Sequence, residues 1–378
     1  MIKLERSGTA KKNYLRIRIP RFGLLILFMI ITTGCSRPAN PPIRLPVVKA
    51  PVIIPPVNKV GSVIQPIRVI FSPTADPETR SAGSKIFLDA MAEATGLFFK
   101  PIFPATYTEA TTEMCVSRND TIGLLTGLGY VLTNRTCAAQ VSLKAIRADY
   151  DVFWTAIFVP RESEIDSLDD LHGLKWGYGD PGYTTDYLVP LFMFNEAGVV
   201  PGSQIQTGNP IKSLEALYNG EVDFSTSYYG PPLDMESGKP FWPEESADIP
   251  GELVESCHLT DDGAEITCGS LNIQDARLQL RKTMPDVMRK IRILAISSDL
   301  PNDAFVFGAA FPTEVRVQIE EALSTVVQSD QWRESIGKPE FYGWEGLTTA
   351  ENSDYEILRI MVDTIWPDLL NPGTSTGY

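Results

Sequence analysis

From residue 68 to residue 225 short apolar runs alternate with helix-patterned segments, and this alternation most constrains the fold. Residues 68–71, 98–103, 121–125, 141–146 and 152–159 read as strands. Asp76 and Pro77 open a helix carrying Ile86, Phe87, Ala90, Met91 and Ala94, closed by Gly96. Thr106 caps a helix from Tyr107, and Thr126-Gly-Leu-Gly129 breaks a strand before a helix near Tyr130. A short capped helix at 167–173, strands at Lys175 and near Ile205, a helix over 210–219 and a strand over 221–225 continue the series. Strands at 291–296 and 304–307 and helices at 312–327 and 355–365 close it. Such an order predicts α/β architecture with parallel, doubly wound sheets, whose ligands bind beyond the carboxyl ends of the strands.

The run from Lys175 to Pro190 shows what such an end can do. A strand breaks at Asp180-Pro181-Gly182, and a helix restarts with Thr184 or Thr185 at its cap and Leu188, Leu191 and Phe192 on one face. Unpaired backbone N–H groups and the positive end of a helix dipole then meet at one point, which suits a small anion. An ordinary strand-to-helix corner has the same local pattern.

Seven basic side chains precede an apolar run from Phe22 to Ile31, followed by Thr32-Thr33-Gly34-Cys35. This reads as a secretory signal over residues 1–34, too short for the ~20 residues that span a bilayer. A cysteine after a small residue resembles the lipobox of bacterial lipoproteins, which implies lipid on Cys35; plain secretion is the alternative. Proline recurs through residues 35–66 and predicts a semi-rigid linker. The formal net charge is −14, and the signal segment is basic, so the body is more acidic still. Nucleic acid is a poor partner for such a surface, and an anionic ligand has to be held by local donors.

Four cysteines besides Cys35 suit an oxidising compartment. Cys257 and Cys268 fall opposite each other across a hairpin that turns at Asp262-Gly263, leaving Cys115 and Cys137 to pair by elimination. A metal site is the competing reading, although His172 and His258 are the only histidines and no Cys-x-x-Cys occurs.

Taken in order, the segment from Val159 to Gly173, Gly179-Asp-Pro-Gly182 with Tyr187-Leu-Val-Pro190, the segment from Leu217 to Asp223, and Leu300-Pro-Asn-Asp-Ala304 resemble one family. It is that of the extracytoplasmic substrate-binding proteins of phosphate, phosphite and phosphonate ABC importers. The resemblance implies a type II periplasmic-binding fold, with two α/β lobes joined by two crossing strands. The lobes are expected at 67–158 plus 305–378 and at 159–304, with crossings near 158–161 and 302–305. Residues 231–290, rich in proline and acids, are expected to decorate the second lobe as an insertion.

The resemblance places the ligand against Tyr107 and Tyr130, and against the hydroxyl cluster Tyr183, Thr184 and Thr185. Two positions depart from the family: Tyr183 stands where serine is usual, and Asp186 where a small residue is usual. Asn209 takes the place of a histidine. Asp186 points away and only favours the helix dipole, or it meets a cationic group on the ligand, or the ligand is no phosphonate. Adjacent Tyr228 and Tyr229 resemble the pair of ferric-ion-binding proteins, and the other reading is packing, or stacking against a ligand, with Tyr228 the ligand-facing ring. The expected function is capture of a small oxyanion by hinge closure for a membrane permease, by a monomer that is not an enzyme and needs no cofactor. The alternatives are a sensor or scaffold subunit for a membrane signalling protein, or a binder of an amine-bearing solute or ferric ion.

Overall fold

The computed structural model describes residues 59–73, 77–179, 181, 184–242 and 246–366. The signal segment, Cys35, most of the proline-rich stretch and Tyr183 lie outside those residues. Residues 60–66, expected to belong to the linker, dock on the body. Val60 is buried, and the Phe98 N–H donates to the Gly61 carbonyl at 2.9 Å.

The first lobe begins with β1 (Ile67–Phe71), α1 (Pro77–Thr95), β2 (Phe99–Ile102), α2 (Tyr107–Val116), β3 (Thr121–Leu125), α3 (Gly127–Cys137) and β4 (Gln140–Ile146). The second holds β5 (Val152–Pro160), β6 (Lys175–Tyr178), α4 (Val189–Ala197), β7 (Ser203–Gln206), α5 (Pro210–Tyr218) and β8 (Phe224–Tyr229). Next come the short strands β9 (Leu233–Asp234), β10 (His258–Leu259), β11 (Ile266–Cys268) and β12 (Leu271–Asn272), then α6 (Val287–Lys290), β13 (Ile291–Ile296) and β14 (Leu300–Pro301). The chain returns to the first lobe with β15 (Ala304–Phe307), α7 (Thr313–Val326), α8 (Asp330–Arg333), β16 (Gly346–Thr349) and α9 (Glu356–Ile365).

The first sheet has the order β16-β4-β15-β3-β1-β2 and the second β13-β5-β8-β6-β7. The expected parallel pairing holds for β2-β1-β3 and for β8-β6-β7, whereas β15 and β5 run antiparallel to their neighbours. Those are the strands that follow the two crossings between lobes, so their reversal comes from the topology.

Alternation along the strands builds a core on each face of each sheet. Val69 and Phe71 of β1 face α1 and α7, while Ile70 faces α2, α3 and α9. In β5, Ala156 and Phe158 pack with α5, while Ile157 and Val159 pack with Trp176 and Phe194.

Two expectations need correction. The first crossing lies at residues 147–151, not 158–161, because β5 is paired with β8 in the second sheet from Trp154 onward. Arg147 and Tyr150 exchange both backbone hydrogen bonds (2.8 and 2.9 Å), and Ala148 (φ 48°) and Asp149 (φ 65°) form a tight turn between them. The second crossing, at Asn302 and Asp303, lies beside it. The Asn302 N–H donates to the Asp151 carbonyl at 3.1 Å, its Nδ2 donates to the Tyr150 carbonyl at 2.9 Å, and Arg147 pairs with Asp303.

The segment 231–290 is also no decoration. Val254, Ile266, Leu271, Ile273 and Leu280 share one core with Phe158 and Leu214. Fully buried Arg277 pairs with Asp275 and Asp248, each at 2.8 Å, and Asp248 also takes Arg161 at 2.7 Å. Burial of that many charges requires close pairing, so the segment is wired into the second lobe. Both expected disulfides are present, Cys115–Cys137 joining α2 to α3 and Cys257–Cys268 closing the β10–β11 hairpin. His258 pairs with Thr267, the register expected for opposed cysteines.

Candidate functional site

A cavity of about 700 Å³ opens between the lobes beside the crossings. On the first-lobe side its wall includes Tyr107, Thr126, Gly127 and Leu128. These are the first residues of α2 and α3. Both starts are locally encoded: the Thr106 side chain accepts from the Glu109 N–H at 3.1 Å, and the Thr126 side chain from the Gly129 N–H at 3.0 Å. The Thr126 hydroxyl keeps its own proton to donate.

On the second-lobe side Thr184 and Thr185 line the cavity at the start of the helix that follows β6. That helix opens with a π-type turn, Thr184–Leu188, where the sequence predicts an α-helix. Pro190 explains the difference. It has no N–H, so the Asp186 carbonyl has no α-helical donor four residues on. The Thr226 hydroxyl takes that role at 2.6 Å, and itself accepts from Trp176 Nε1 at 2.9 Å. Single π turns of this kind are frequent at functional sites.

The other expected site residues divide clearly. Tyr107, Thr184, Thr185 and Tyr228 line the cavity. Tyr130 is buried in the core instead, with its hydroxyl donating to Asn352 at 2.6 Å and its ring edge-on to Tyr355 at 4.7 Å. Asn209 caps α5, accepting from the Lys212 N–H at 2.9 Å. Asp186 is buried and accepts from the Thr185 hydroxyl at 3.1 Å. Its carboxylate lies against Gly179, where an added Cβ would come within 2.3 Å of Oδ2. The sequence therefore sets an acid under the turn and not on the cavity wall.

Sequence reasoning did not single out the Arg147–Tyr150 turn, Trp154, Gln274 or Glu345, and it marked Asn302 and Asp303 as a crossing only, not as part of the wall. The interruption between residues 146 and 152 was the available signal for the turn. Among the described lining residues Arg147 is the only cation, and it is already engaged by Asp303. Asp149 and Glu345 add negative charge. Burial pushes the Tyr229 phenol well above its ordinary range, and raises those of Tyr150 and Tyr228 as well. Among the described residues no cluster of three His, Cys, Asp or Glu side chains is placed to hold a metal ion.

The family model described as "ABC transporter, phosphonate, periplasmic substrate-binding protein" matches residues 69–355. Among solved structures, a binding-protein component of an ABC phosphonate transporter from Pseudomonas aeruginosa is 16% identical, with a TM-score of 0.51 over 82% of this chain and 91% of that one. A Xanthomonas citri protein bound to chloride ion gives 15% identity and a TM-score of 0.55, covering 79% and 96%. A Prochlorococcus marinus protein in complex with methylphosphonate gives 14% and 0.50, covering 78% and 96%. At these identities the structures speak for the fold, and the family match rests on the sequence. It spans both lobes and both crossings, and the chain belongs to the family of periplasmic substrate-binding proteins of phosphonate ABC transporters.

Proposed function

We propose that this protein captures a small oxyanion of the phosphonate, phosphite or phosphate kind between its lobes and delivers it to an ABC permease. The observation that supports this reading is the convergence of three helix starts on one cavity: α2 at Tyr107, α3 at Thr126 to Leu128, and the helix beginning at Thr184. Each contributes backbone N–H groups and the positive end of a dipole, which favour an anion where the overall charge of −14 opposes one. Hydroxyls of Thr126 and Thr184 add donors, while that of Thr185 already donates to Asp186. The paired crossings provide a hinge, since only a few residues have to absorb the rotation. The protein acts as a monomer, held at the extracytoplasmic membrane face by lipid on Cys35.

The acids on the wall favour one addition to this reading. Asp149 and Glu345 are suited to an amine on the same ligand, as in an aminoalkyl phosphonate.

Titration calorimetry with phosphate, phosphite and methylphosphonate tests the proposal. Binding of at least one of them is expected. Thr126→Ala and Thr184→Ala should each weaken it about tenfold or more, the usual loss for a hydrogen bond to a charged group. Heat from amines or sulfonates, with none from the three oxyanions, would sink it. Metabolic labelling with a fatty-acid analogue, abolished by Cys35→Ala, checks the anchor.

A further inference from the structure

An oxyanion at the helix starts leaves room in the cleft. The cavity of about 700 Å³ is in the range that encloses drug-sized molecules, and phosphate or methylphosphonate fills a small part of it. Part of the remaining wall comes from the segment 231–290, through Pro231, Leu233, Gly238 and Gln274. Of these, Gln274 alone has a polar side chain. The segment thus brings to the cleft an apolar surface with a single carboxamide on it.

The seat of Gln274 is fixed by its neighbours. Burial alternates from Leu271 to Asp275: Leu271, Ile273 and Asp275 are buried, whereas Asn272 and Gln274 are partly exposed. Ile273 belongs to the second-lobe core, and the Asp275 carboxylate pairs with buried Arg277 at 2.8 Å. Inward side chains on both sides turn that of Gln274 the other way, to the cavity it lines. Gly230, directly after β8, lets this stretch approach. A Cβ there would stand 2.8 Å from the Gln274 carbonyl oxygen and 3.2 Å from its Cβ, so any side chain at that position would displace Gln274. The Gln274 carboxamide makes no hydrogen bond among the described residues, whereas Gln279 donates to the Tyr228 hydroxyl at 3.2 Å. A carboxamide offers both a donor and an acceptor. Tyr228 lines the same cavity and, having accepted from Gln279, keeps its own proton to donate.

We infer that Gln274 determines specificity, by reading an uncharged hydrogen-bonding group, a hydroxyl or an amide, that the ligand carries beyond its oxyanion. A charged group has other partners on this wall: Asp149 and Glu345 draw an ammonium and oppose a second anion. A neutral group with a donor and an acceptor matches the carboxamide on both counts. A spacer of a few methylene groups suits the apolar surface of Leu233 and Pro231. The segment 231–290 thereby sets what the cleft selects. The inference rests on the oxyanion reading above and adds the chemistry of the ligand's other end.

Calorimetry on the purified protein with ethyl-, propyl-, 2-hydroxyethyl- and 3-hydroxypropylphosphonate tests it. At least one hydroxyalkyl probe should bind about three- to tenfold tighter than the alkyl probe of the same carbon chain, the usual gain from a neutral hydrogen bond. Gln274→Leu keeps the bulk of the side chain and removes its polar end. It should abolish that advantage, by weakening the hydroxyalkyl probe by a larger factor than its alkyl partner. Binding of the alkyl probe by the variant also shows that the variant is folded. Alkyl probes that bind as tightly as both hydroxyalkyl probes would overturn the role of Gln274. So would an advantage that survives Gln274→Leu, or a loss by one common factor for every probe. Silence from every probe is a different failure, which overturns the oxyanion reading and this inference with it.

Discussion

Tyr229 and Tyr355 are neutral phenols held in the interior, and burial raises both far above the ordinary phenol range. In the unfolded chain the same groups ionise near pH 10. Their contribution to stability is therefore complete below about pH 10 and is lost as pH rises beyond it, because the unfolded state releases protons that the folded state keeps. Urea midpoints should stay level from pH 7 to 9 and fall steeply between 10 and 11, with a shallower fall in Tyr229→Phe. At neutral pH that variant should be more stable than the parent by about 1 kcal/mol without ligand, since it removes a buried donor that has no partner. A lower stability would mean that the hydroxyl is satisfied after all. Tyr355 differs, because its hydroxyl donates to the Asn302 carbonyl at 3.0 Å beside the second crossing. Tyr355→Phe should destabilise.

Among the elements, the turn at residues 147–150 carries the clearest local strain. Ala148 at φ 48° holds a left-handed conformation that costs an L-residue roughly 1–2 kcal/mol. Ala148→Gly should be neutral or stabilising, and Ala148→Val should lose about 1–2 kcal/mol in a denaturant melt. The Cys257–Cys268 bridge closes a separation of 11 residues, so replacing both cysteines by serine should cost about 3 kcal/mol at constant ligand stoichiometry. Which elements were legible in the sequence follows from how local their causes are. Thr106 and Thr126 announce helix starts because a cap is a contact across three residues. The hairpin register follows from counting between two cysteines. The pairing of Leu271 with Asp234, which makes 231–290 part of a sheet, spans distant residues in a proline-rich and acidic stretch that reads as loop. β5 has the same apolar pattern whichever sheet it joins, so the sequence leaves its lobe undetermined. Tyr130 lies two residues inside α3 from the cleft-lining Leu128, and the helical turn carries its ring inward onto Tyr355.

For the whole molecule, net charge sets the conditions of capture. A protein at −14 repels an anion at long range, while the helix starts attract it at short range. Raising ionic strength should therefore speed the association of an anionic ligand in stopped-flow tryptophan fluorescence. Slowing would mean that the cleft's own field dominates out to the Debye length. If the laced crossings act as one hinge, saturating ligand should also reduce the radius of gyration in solution scattering.

The position of β15 has a further consequence, for the order in which the molecule can assemble. It lies between β3 and β4, yet it is made after the whole of the second lobe. The facing edges of β3 and β4 therefore wait without a partner through the synthesis of more than half the described chain, whereas the second lobe is complete once Pro301 has been added. Vectorial emergence favours the second lobe folding first as an independent unit. A chain truncated before Ala304 would lack β15 and β16, leaving β4 with no strand to pair with and β3 with a bare edge, the kind of surface that recruits other chains and aggregates.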